Sequence, residues 1–183
     1  MKATTPFARS IILTGFMGTG KTEAGSLLAH RLGLPFVDID RWIEERQGES
    51  VGEIFRRHGE FYFRQRERDA VRELAQGPPK VIATGGGTVA FIENRLRLRD
   101  YGILICFTAD LKAILERTEG SQERPMLGSG SREERARELL KIRDESYRDC
   151  DHSIDTSALT PGEVVQEILK WLNEKSTIPA QAP

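Results

Sequence analysis

Short apolar runs alternate with amphipathic stretches along this chain of 183 residues. The apolar runs are rich in β-branched residues, which favours buried strands, and the stretches between them have helical periodicity. This alternation predicts an α/β fold with a mostly parallel sheet and helices on both of its faces. The predicted strands are residues 10–14, 35–39, 80–84, 103–107 and the least apolar of the set, 152–155.

Apolar residues between these strands recur at spacings of three and four, the period of a helix that buries one face. The most regular stripe runs from Val164 to Leu172, shortly after Pro161, and proline is tolerated at the start of a helix. The predicted helices are residues 21–32, 41–47, 51–58, 60–75, 90–99, 110–118, 132–147 and 162–174.

The chain length suits a single hydrophobic core, and no internal repeat is visible. We expect one domain over residues 9–175, with flexible termini at 1–8 and 176–183. Residues 119–131 read EGSQERPMLGSGS, and their glycines, serines and proline predict a long surface loop. A lid and a disordered loop are the alternatives, and a nearby nucleotide site favours the lid.

The charge balance argues against two classes of partner. Lys and Arg total 27 against 28 for Asp and Glu, so no net field recruits nucleic acid or an anionic membrane.

No long apolar segment follows the N-terminus, and we expect neither a signal peptide nor a membrane anchor. Cys106 and Cys150 show no metal-ligand or disulfide pattern, which favours a reducing compartment and a cytoplasmic protein.

Residues 15–22 read GFMGTGKT, the spacing of a phosphate-binding loop, between a predicted strand and a predicted helix. Glycines let successive backbone N–H groups converge on a phosphate, and the positive end of the helix dipole points to the same place. The Lys21 ammonium can reach β- and γ-phosphate oxygens, and the Thr22 hydroxyl can bind Mg²⁺. A turn that only connects strand to helix is the alternative, but the Lys-Thr pair favours nucleotide binding.

Two carboxylates, Asp38 and Asp40, end the second predicted strand. At positions i and i+2 of a strand they would point the same way at the carboxyl edge of the sheet, where α/β proteins bind ligands. One could orient magnesium-bound water, while the other accepts a hydrogen bond from a substrate hydroxyl and holds or deprotonates it. The alternative is that Asp40 is merely the N-cap of the helix predicted from Arg41.

Arg64 and a glycine triplet suggest an anionic acceptor. Arg64 lies in the basic segment FRRHGEFYFRQRE, residues 55–67, and a guanidinium can hold a carboxylate through two parallel bonds. Pairing with a surface carboxylate is the alternative. Gly85, Gly86 and Gly87 follow the third strand, where backbone could approach a ligand closely or form a plain turn.

The ordered motifs GFMGTGKT, DID, FRRHGEFYFRQRE, GGG, RTEGSQERPML and RDESY make the chain similar to the shikimate kinases, from about Ile11 to Leu172. The resemblance implies a three-layer α/β/α fold with five parallel strands in the order 2-3-1-4-5, a P-loop kinase with a mobile lid. It implies transfer of the ATP γ-phosphate to the 3-hydroxyl of shikimate, a step toward chorismate and the aromatic amino acids. The implied partners are ATP, Mg²⁺ and shikimate, and we expect a monomer.

Carried onto this sequence, the resemblance implies roles for three sets of residues. The catalytic residues are Lys21, Asp40 and Arg124, the last in the lid. Nucleotide binding is implied for Gly15, Gly18, Thr19, Gly20, Lys21, Thr22, Arg117 and Pro161, and metal binding for Thr22 and Asp38. Shikimate binding is implied for Asp40, Arg64, Gly85, Gly86, Gly87 and Arg143, with Glu67 holding part of this site in place.

Two other functions are compatible with part of this pattern. A gluconate kinase of the same fold would also bind a carboxylate and hydroxyls, but the GGG triplet and the pairing of RPML with RDESY favour shikimate. A non-catalytic nucleotide-binding module that signals through lid closure would need no hydroxyl acceptor such as Asp40. The lid residues 128–131 (GSGS) depart from the family pattern.

Overall fold

A computed structural model describes residues 9–119 and 131–177, which form a five-stranded sheet and seven helices. The strands are β1 (Ser10–Gly15), β2 (Phe36–Asp38), β3 (Val81–Ala83), β4 (Gly102–Thr108) and β5 (His152–Asp155). The helices are α1 (Lys21–Leu32), α2 (Ile39–Gln47), α3 (Val51–Leu74), α4 (Ile92–Tyr101), α5 (Leu111–Arg117), α6 (Arg132–Arg148) and α7 (Pro161–Thr177). A single 3-10 turn, Thr88–Ala90, precedes α4.

The sheet is parallel and has the strand order β2-β3-β1-β4-β5, which confirms the predicted topology. Strand β1 is central, and Ile11 pairs with Val81 of β3 on one side and with Ile103 of β4 on the other. Because the strand order reverses around β1, its carboxyl end at Gly15 opens into the crevice where α/β sheets bind ligands.

Side chains that alternate along the strands build one core on each face of the sheet. Ile12 and Cys106 face a core that includes residues of α2, α3, α4 and α6. Ile11, Leu13 and Phe107 face the opposite core, which α1 and α7 cover. Helices therefore bury apolar residues on both sides of the sheet, as the three-layer prediction requires.

Strand β2 ends earlier than the sequence pattern predicts, at Asp38. The Asp38 side chain accepts hydrogen bonds from the backbone N–H groups of Asp40 (3.0 Å) and Arg41 (3.3 Å), so Asp38 is the N-cap of α2. Both the strand through residue 39 and the capping role considered for Asp40 were therefore wrong. Asp40 lies in the first turn of α2, so helix geometry, and not strand alternation, sets the direction of its side chain.

Helix α3 contains the break predicted between residues 58 and 60. Gly59 leaves the helical conformation with φ 81° and ψ 170°, a region that favours glycine. The helix starts again at Glu60 with a new direction. This break allows Phe63, Arg64 and Glu67 to turn toward the sheet, where all three are buried.

The other predictions for the chain ends and the lid fall largely outside the described residues, which omit 1–8, 120–130 and 178–183. Helix α7 reaches Thr177, two residues into the predicted tail. Within the residues that the structure describes, no helix is long and apolar enough to span a membrane.

Candidate active site

The phosphate-binding loop is braced by its own side chains. The Lys21 ammonium donates to the carbonyls of Gly15 (2.9 Å) and Phe16 (2.7 Å), and the Thr19 hydroxyl donates to the Phe16 carbonyl (2.8 Å). Gly20, with φ 86°, immediately precedes α1. The loop thus joins a buried strand to the N-terminus of a helix, which confirms the predicted context for binding phosphate.

Thr22 and Asp38 lie side by side at the edge of this loop. The Thr22 hydroxyl donates to Asp38 Oδ2 at 2.7 Å, while Asp38 Oδ1 caps α2. The cap fixes the carboxylate, so both oxygen groups are held in place at the same wall of the site. One hydroxyl and one carboxylate are hard oxygen donors of the kind that Mg²⁺ accepts when phosphates and water complete its shell. The residues present therefore fit a magnesium ion that arrives with a nucleotide.

Asp40 has a buried carboxylate oxygen, Oδ1, that accepts no hydrogen bond from any described residue. Burial raises the pKa of Asp40 to about 7, and the negative charges of Glu67 and Asp38 add to the rise, while Lys21 and Arg64 oppose it. A buried acceptor without a donor is costly, and here it faces an open cavity. The arrangement suits a ligand hydroxyl that donates to Asp40.

The glycine triplet brings backbone unusually close to two functional side chains. A Cβ on Gly85 would lie 2.6 Å from Asp40 Oδ1, and one on Gly87 would lie 2.7 Å from Arg64 Nη1. The Gly86 carbonyl accepts from Arg143 Nη1 (3.0 Å) and from the Tyr147 hydroxyl. Any side chain at residues 85 or 87 would push Asp40 or Arg64 out of place, so the triplet is more than a turn.

Arg64 and Arg143 reach the cavity from different helices. Arg64, on α3, donates to Glu67 Oε2 at 2.8 Å, and Glu67 Oε1 accepts from the Thr88 hydroxyl at 2.6 Å. Glu67 is fully buried, so its carboxylate is a fixed anchor for Arg64. Arg143, on α6, is 6% exposed. Two nearly buried guanidinium groups at one cavity form an attractive site for a small anion.

Arg117 connects the phosphate-binding loop to the segment between β5 and α7. Its Nη2 donates to the carbonyls of Thr156 (2.7 Å) and Ser157 (3.0 Å), and its Nη1 donates more weakly to the Gly18 carbonyl (3.4 Å). The Thr156 hydroxyl in turn donates to the Thr19 carbonyl at 3.0 Å. These contacts place Arg117 beside the loop, and Arg117 and Pro161 both line the cavity.

A single cavity of about 710 Å³ collects nearly all the site residues predicted from the sequence. It is lined by Gly18, Thr19, Gly20, Lys21, Thr22, Asp38, Asp40, Arg64, Glu67, Gly85, Gly86, Gly87, Arg117, Arg143 and Pro161. Gly15 does not line it, because it is the last residue of β1 and packs against the Phe107 carbonyl. Arg124 lies outside the described residues.

Three residues that support this site have no role predicted from the sequence. Tyr147 is the last residue of the RDESY motif, one helical turn from Arg143, and its hydroxyl donates to the Gly86 carbonyl. Thr88 directly follows the glycine triplet, and its hydroxyl donates to Glu67. Thr156 follows the last strand without any local motif, so only the folded chain brings it to Thr19 and Arg117.

A phosphate-binding loop at the switch point of a parallel sheet, with a buried acid and two arginines across the same cavity, defines a P-loop phosphotransferase for small anionic acceptors. The shikimate kinase family model matches residues 17–173 of the chain. The protein belongs to the shikimate kinase family.

Similar proteins agree with this family over most of their length. The shikimate kinase of Geobacter sulfurreducens is 45% identical over 166 residues, which cover 91% of this chain and 92% of that protein. A solved structure of the Acinetobacter baumannii shikimate kinase in complex with shikimate is 36% identical, with a TM-score of 0.89, and covers 93% of this chain and 96% of that chain.

Gluconate kinase, the alternative function, is represented by a protein that is less similar to this chain. A solved gluconokinase from Sinorhizobium meliloti is 18% identical, with a TM-score of 0.59, and covers 92% of this chain and 93% of that chain. This likeness extends to the fold alone.

Proposed function

We propose that the protein transfers the γ-phosphate of ATP to the 3-hydroxyl of shikimate, giving shikimate 3-phosphate and ADP on the route to chorismate. The observation that carries the proposal is the buried carboxylate oxygen Oδ1 of Asp40, which accepts no hydrogen bond from the described residues. Asp40 lines the same cavity as Lys21, Arg64 and Arg143. In this proposal one domain, residues 9–175, works as a cytoplasmic monomer on two small substrates.

The phosphates of ATP bind the loop formed by Gly18, Thr19 and Gly20, whose backbone lines the cavity at the N-terminus of α1. Lys21 turns from the loop carbonyls to the phosphate oxygens, where its charge is better matched. Adenine lies toward Arg117 and Pro161, which both line the cavity.

Thr22 and Asp38 would hold Mg²⁺ bound to the nucleotide. The ion neutralises charge on the phosphates when it is bound. The Thr22–Asp38 hydrogen bond of 2.7 Å holds both oxygens in position. Arg124 remains a prediction as the lid residue that reaches the phosphates.

Arg64 and Arg143 hold the shikimate carboxylate, and the glycine triplet lines the ring. The 3-hydroxyl donates a hydrogen bond to Asp40 Oδ1, which accepts none from the described residues of the protein. As the hydroxyl oxygen bonds to the γ-phosphorus and the bond to the ADP oxygen breaks, the hydroxyl proton passes to Asp40. A pKa of about 7 suits a group that must accept a proton near neutral pH.

The substrate assignment is tested by measuring ADP release with ATP, Mg²⁺ and a panel of hydroxy acids. We expect shikimate to give by far the highest rate, gluconate to give little, and a reaction without acceptor to be slower still, because water cannot use the carboxylate-binding arginines. Equal rates with shikimate and gluconate, or no dependence on any acceptor, would contradict the proposal.

We predict that Arg64→Lys and Arg143→Lys each lower kcat/KM for shikimate although the charge is kept. A guanidinium offers a carboxylate two parallel donors and an ammonium offers a point charge. Loss of part of a charge-assisted bond costs about 1.5–3 kcal/mol, or roughly 10- to 150-fold in kcat/KM. The KM for ATP should hardly change. Arg72→Lys is the matched control, because Arg72 lies on the same helix and pairs with Glu93 at the surface.

The double variant and a neutral analogue separate a binding role from a structural one. The losses of Arg64→Lys and Arg143→Lys should be non-additive, since both groups contact one carboxylate. On the amide analogue of shikimate, the wild type should perform poorly and the variants should lose little more. Equal losses on the acid and on the amide would make the two arginines structural.

A further inference from the structure

Arg64 is surrounded on several sides by other groups of the protein. The rings of Phe63, Phe91 and Phe55 lie 5.3, 5.7 and 5.9 Å from its guanidinium carbon. The backbone of Gly87 approaches its terminal nitrogens so closely that a Cβ there would clash. The aromatic rings and the glycine restrict the guanidinium plane, but they accept no conventional hydrogen bond from it.

The edges of the guanidinium are held by two carboxylates. Glu60 Oε1 accepts from both Nε and Nη2 of Arg64, each at 3.2 Å. Glu67 Oε2 accepts from Nη1 at 2.8 Å. Of the five N–H donors of an arginine, these contacts use three and leave one on each terminal nitrogen. A substrate carboxylate needs one donor from each of two neighbouring nitrogens.

We propose that Glu60 is a positioning residue for substrate binding: by holding the Nε and Nη2 edge of Arg64, it presents the remaining N–H groups of Arg64 to the acceptor carboxylate. This inference rests on the proposed function, because it takes the carboxylate of shikimate as the ligand of Arg64. Glu60 acts through Arg64 and does not line the cavity itself.

The break in α3 gives Glu60 its place. Gly59 interrupts the helix, so Glu60 is the first residue of the segment that continues to Leu74. A carboxylate is favourable in the first turn of a helix, where backbone N–H groups lack partners. Arg64 follows four residues later on the same face, which is the spacing at which side chains of a helix meet.

Exposure separates this role from a role in stability. The Glu60 side chain is 52% exposed, whereas Glu67, the other partner of Arg64, is fully buried. Exposed ion pairs contribute little to folding because water screens them. Removal of Glu60 should therefore leave the fold intact and act on the orientation of Arg64, whereas removal of Glu67 would leave a buried guanidinium without its anchor.

The test compares Glu60→Ala with Glu60→Gln, and Glu73→Ala is the matched control. Glu73 is also on α3, is 55% exposed and pairs with an arginine, Arg46, away from the cavity. We expect Glu60→Ala to raise the KM for shikimate roughly 3- to 10-fold, with kcat and the KM for ATP changed by less than about 2-fold. Glu60→Gln keeps an oxygen acceptor and should stay within about 2-fold of the wild type, as should Glu73→Ala.

Three results would overturn this role. An unchanged KM in Glu60→Ala would show that Arg64 is held without Glu60, and a lowered KM would show that Glu60 competes with the substrate carboxylate. An equal rise in Glu60→Ala and Glu60→Gln would assign the effect to charge and not to position. A failure of the proposed function is distinct, because the wild type itself would then release no ADP in response to shikimate.

Discussion

Replacement of Lys21 by alanine is expected to lower kcat on the order of 10³-fold. The Lys21 ammonium is nearly buried at the N-terminus of α1, and charge that develops on the transferred phosphate needs a fixed cation there. Loss of one such donor from a pre-organised site typically costs this much. A coupled assay of ADP release at saturating ATP and shikimate measures the effect.

Lys80→Ala is the matched control for this experiment. Lys80 also donates to two backbone carbonyls, those of Leu74 (3.1 Å) and Gln76 (2.8 Å), but it lies outside the cavity. It should keep turnover within about 2-fold, because Lys21 lines the cavity and Lys80 does not. Near-normal turnover in Lys21→Ala would reject the catalytic role. A similar loss of turnover in Lys80→Ala would show that the removal of any lysine bonded to backbone carbonyls disturbs the structure.

Asp40→Asn is expected to lower turnover by roughly 10²- to 10⁴-fold, the range for loss of a general base, while ATP still binds. The amide keeps the size of the side chain but cannot accept the proton of the 3-hydroxyl. In the wild type, kcat/KM for shikimate should rise with pH and level off above about 7, because Asp40 must be ionised to act and its pKa is raised to about 7. Turnover near that of the wild type in Asp40→Asn would contradict this role.

The same substitution should stabilise the protein without ligands. Unfolded Asp40 loses its proton near its ordinary pKa of 3.8, whereas the native group keeps it until pH reaches about 7. The native state therefore binds more protons between these values, and its stability falls as pH rises through this window. Above pH 7 the cost is constant, so Asp40→Asn should gain about 4 kcal/mol at pH 8 and much less at pH 4.

Chemical denaturation of both proteins across this pH range measures the gain, and Asp69→Asn is the control. Asp69 is a surface carboxylate of α3, paired with Arg66 at 3.1 Å. Its replacement should change stability by less than about 1 kcal/mol and leave turnover unchanged. A gain in Asp40→Asn that did not grow between pH 4 and 7 would show that burial does not hold the proton on Asp40.

The sequence by itself determined the parts of this protein that depend on local spacing. GFMGTGKT between an apolar run and an amphipathic stretch was enough to place a phosphate-binding loop, because strand, glycines, lysine and hydroxyl are neighbours in the chain. The order of the motifs was enough to identify the family. The family resemblance in turn predicted the strand order and most residues of the cavity. The break at Gly59 was also visible as a change in pattern.

The tertiary structure decided what depends on contacts between distant residues. Strand alternation gave the wrong surroundings for Asp40, since the cap at Asp38 ends β2 one residue earlier than expected and starts α2 two residues earlier. The raised pKa of Asp40 comes from burial and from Glu67, 27 positions away in the numbering. The burial of a site and the charges around it come from several helices and strands that meet only when the protein folds. The spacing of residues along the chain therefore does not reveal them.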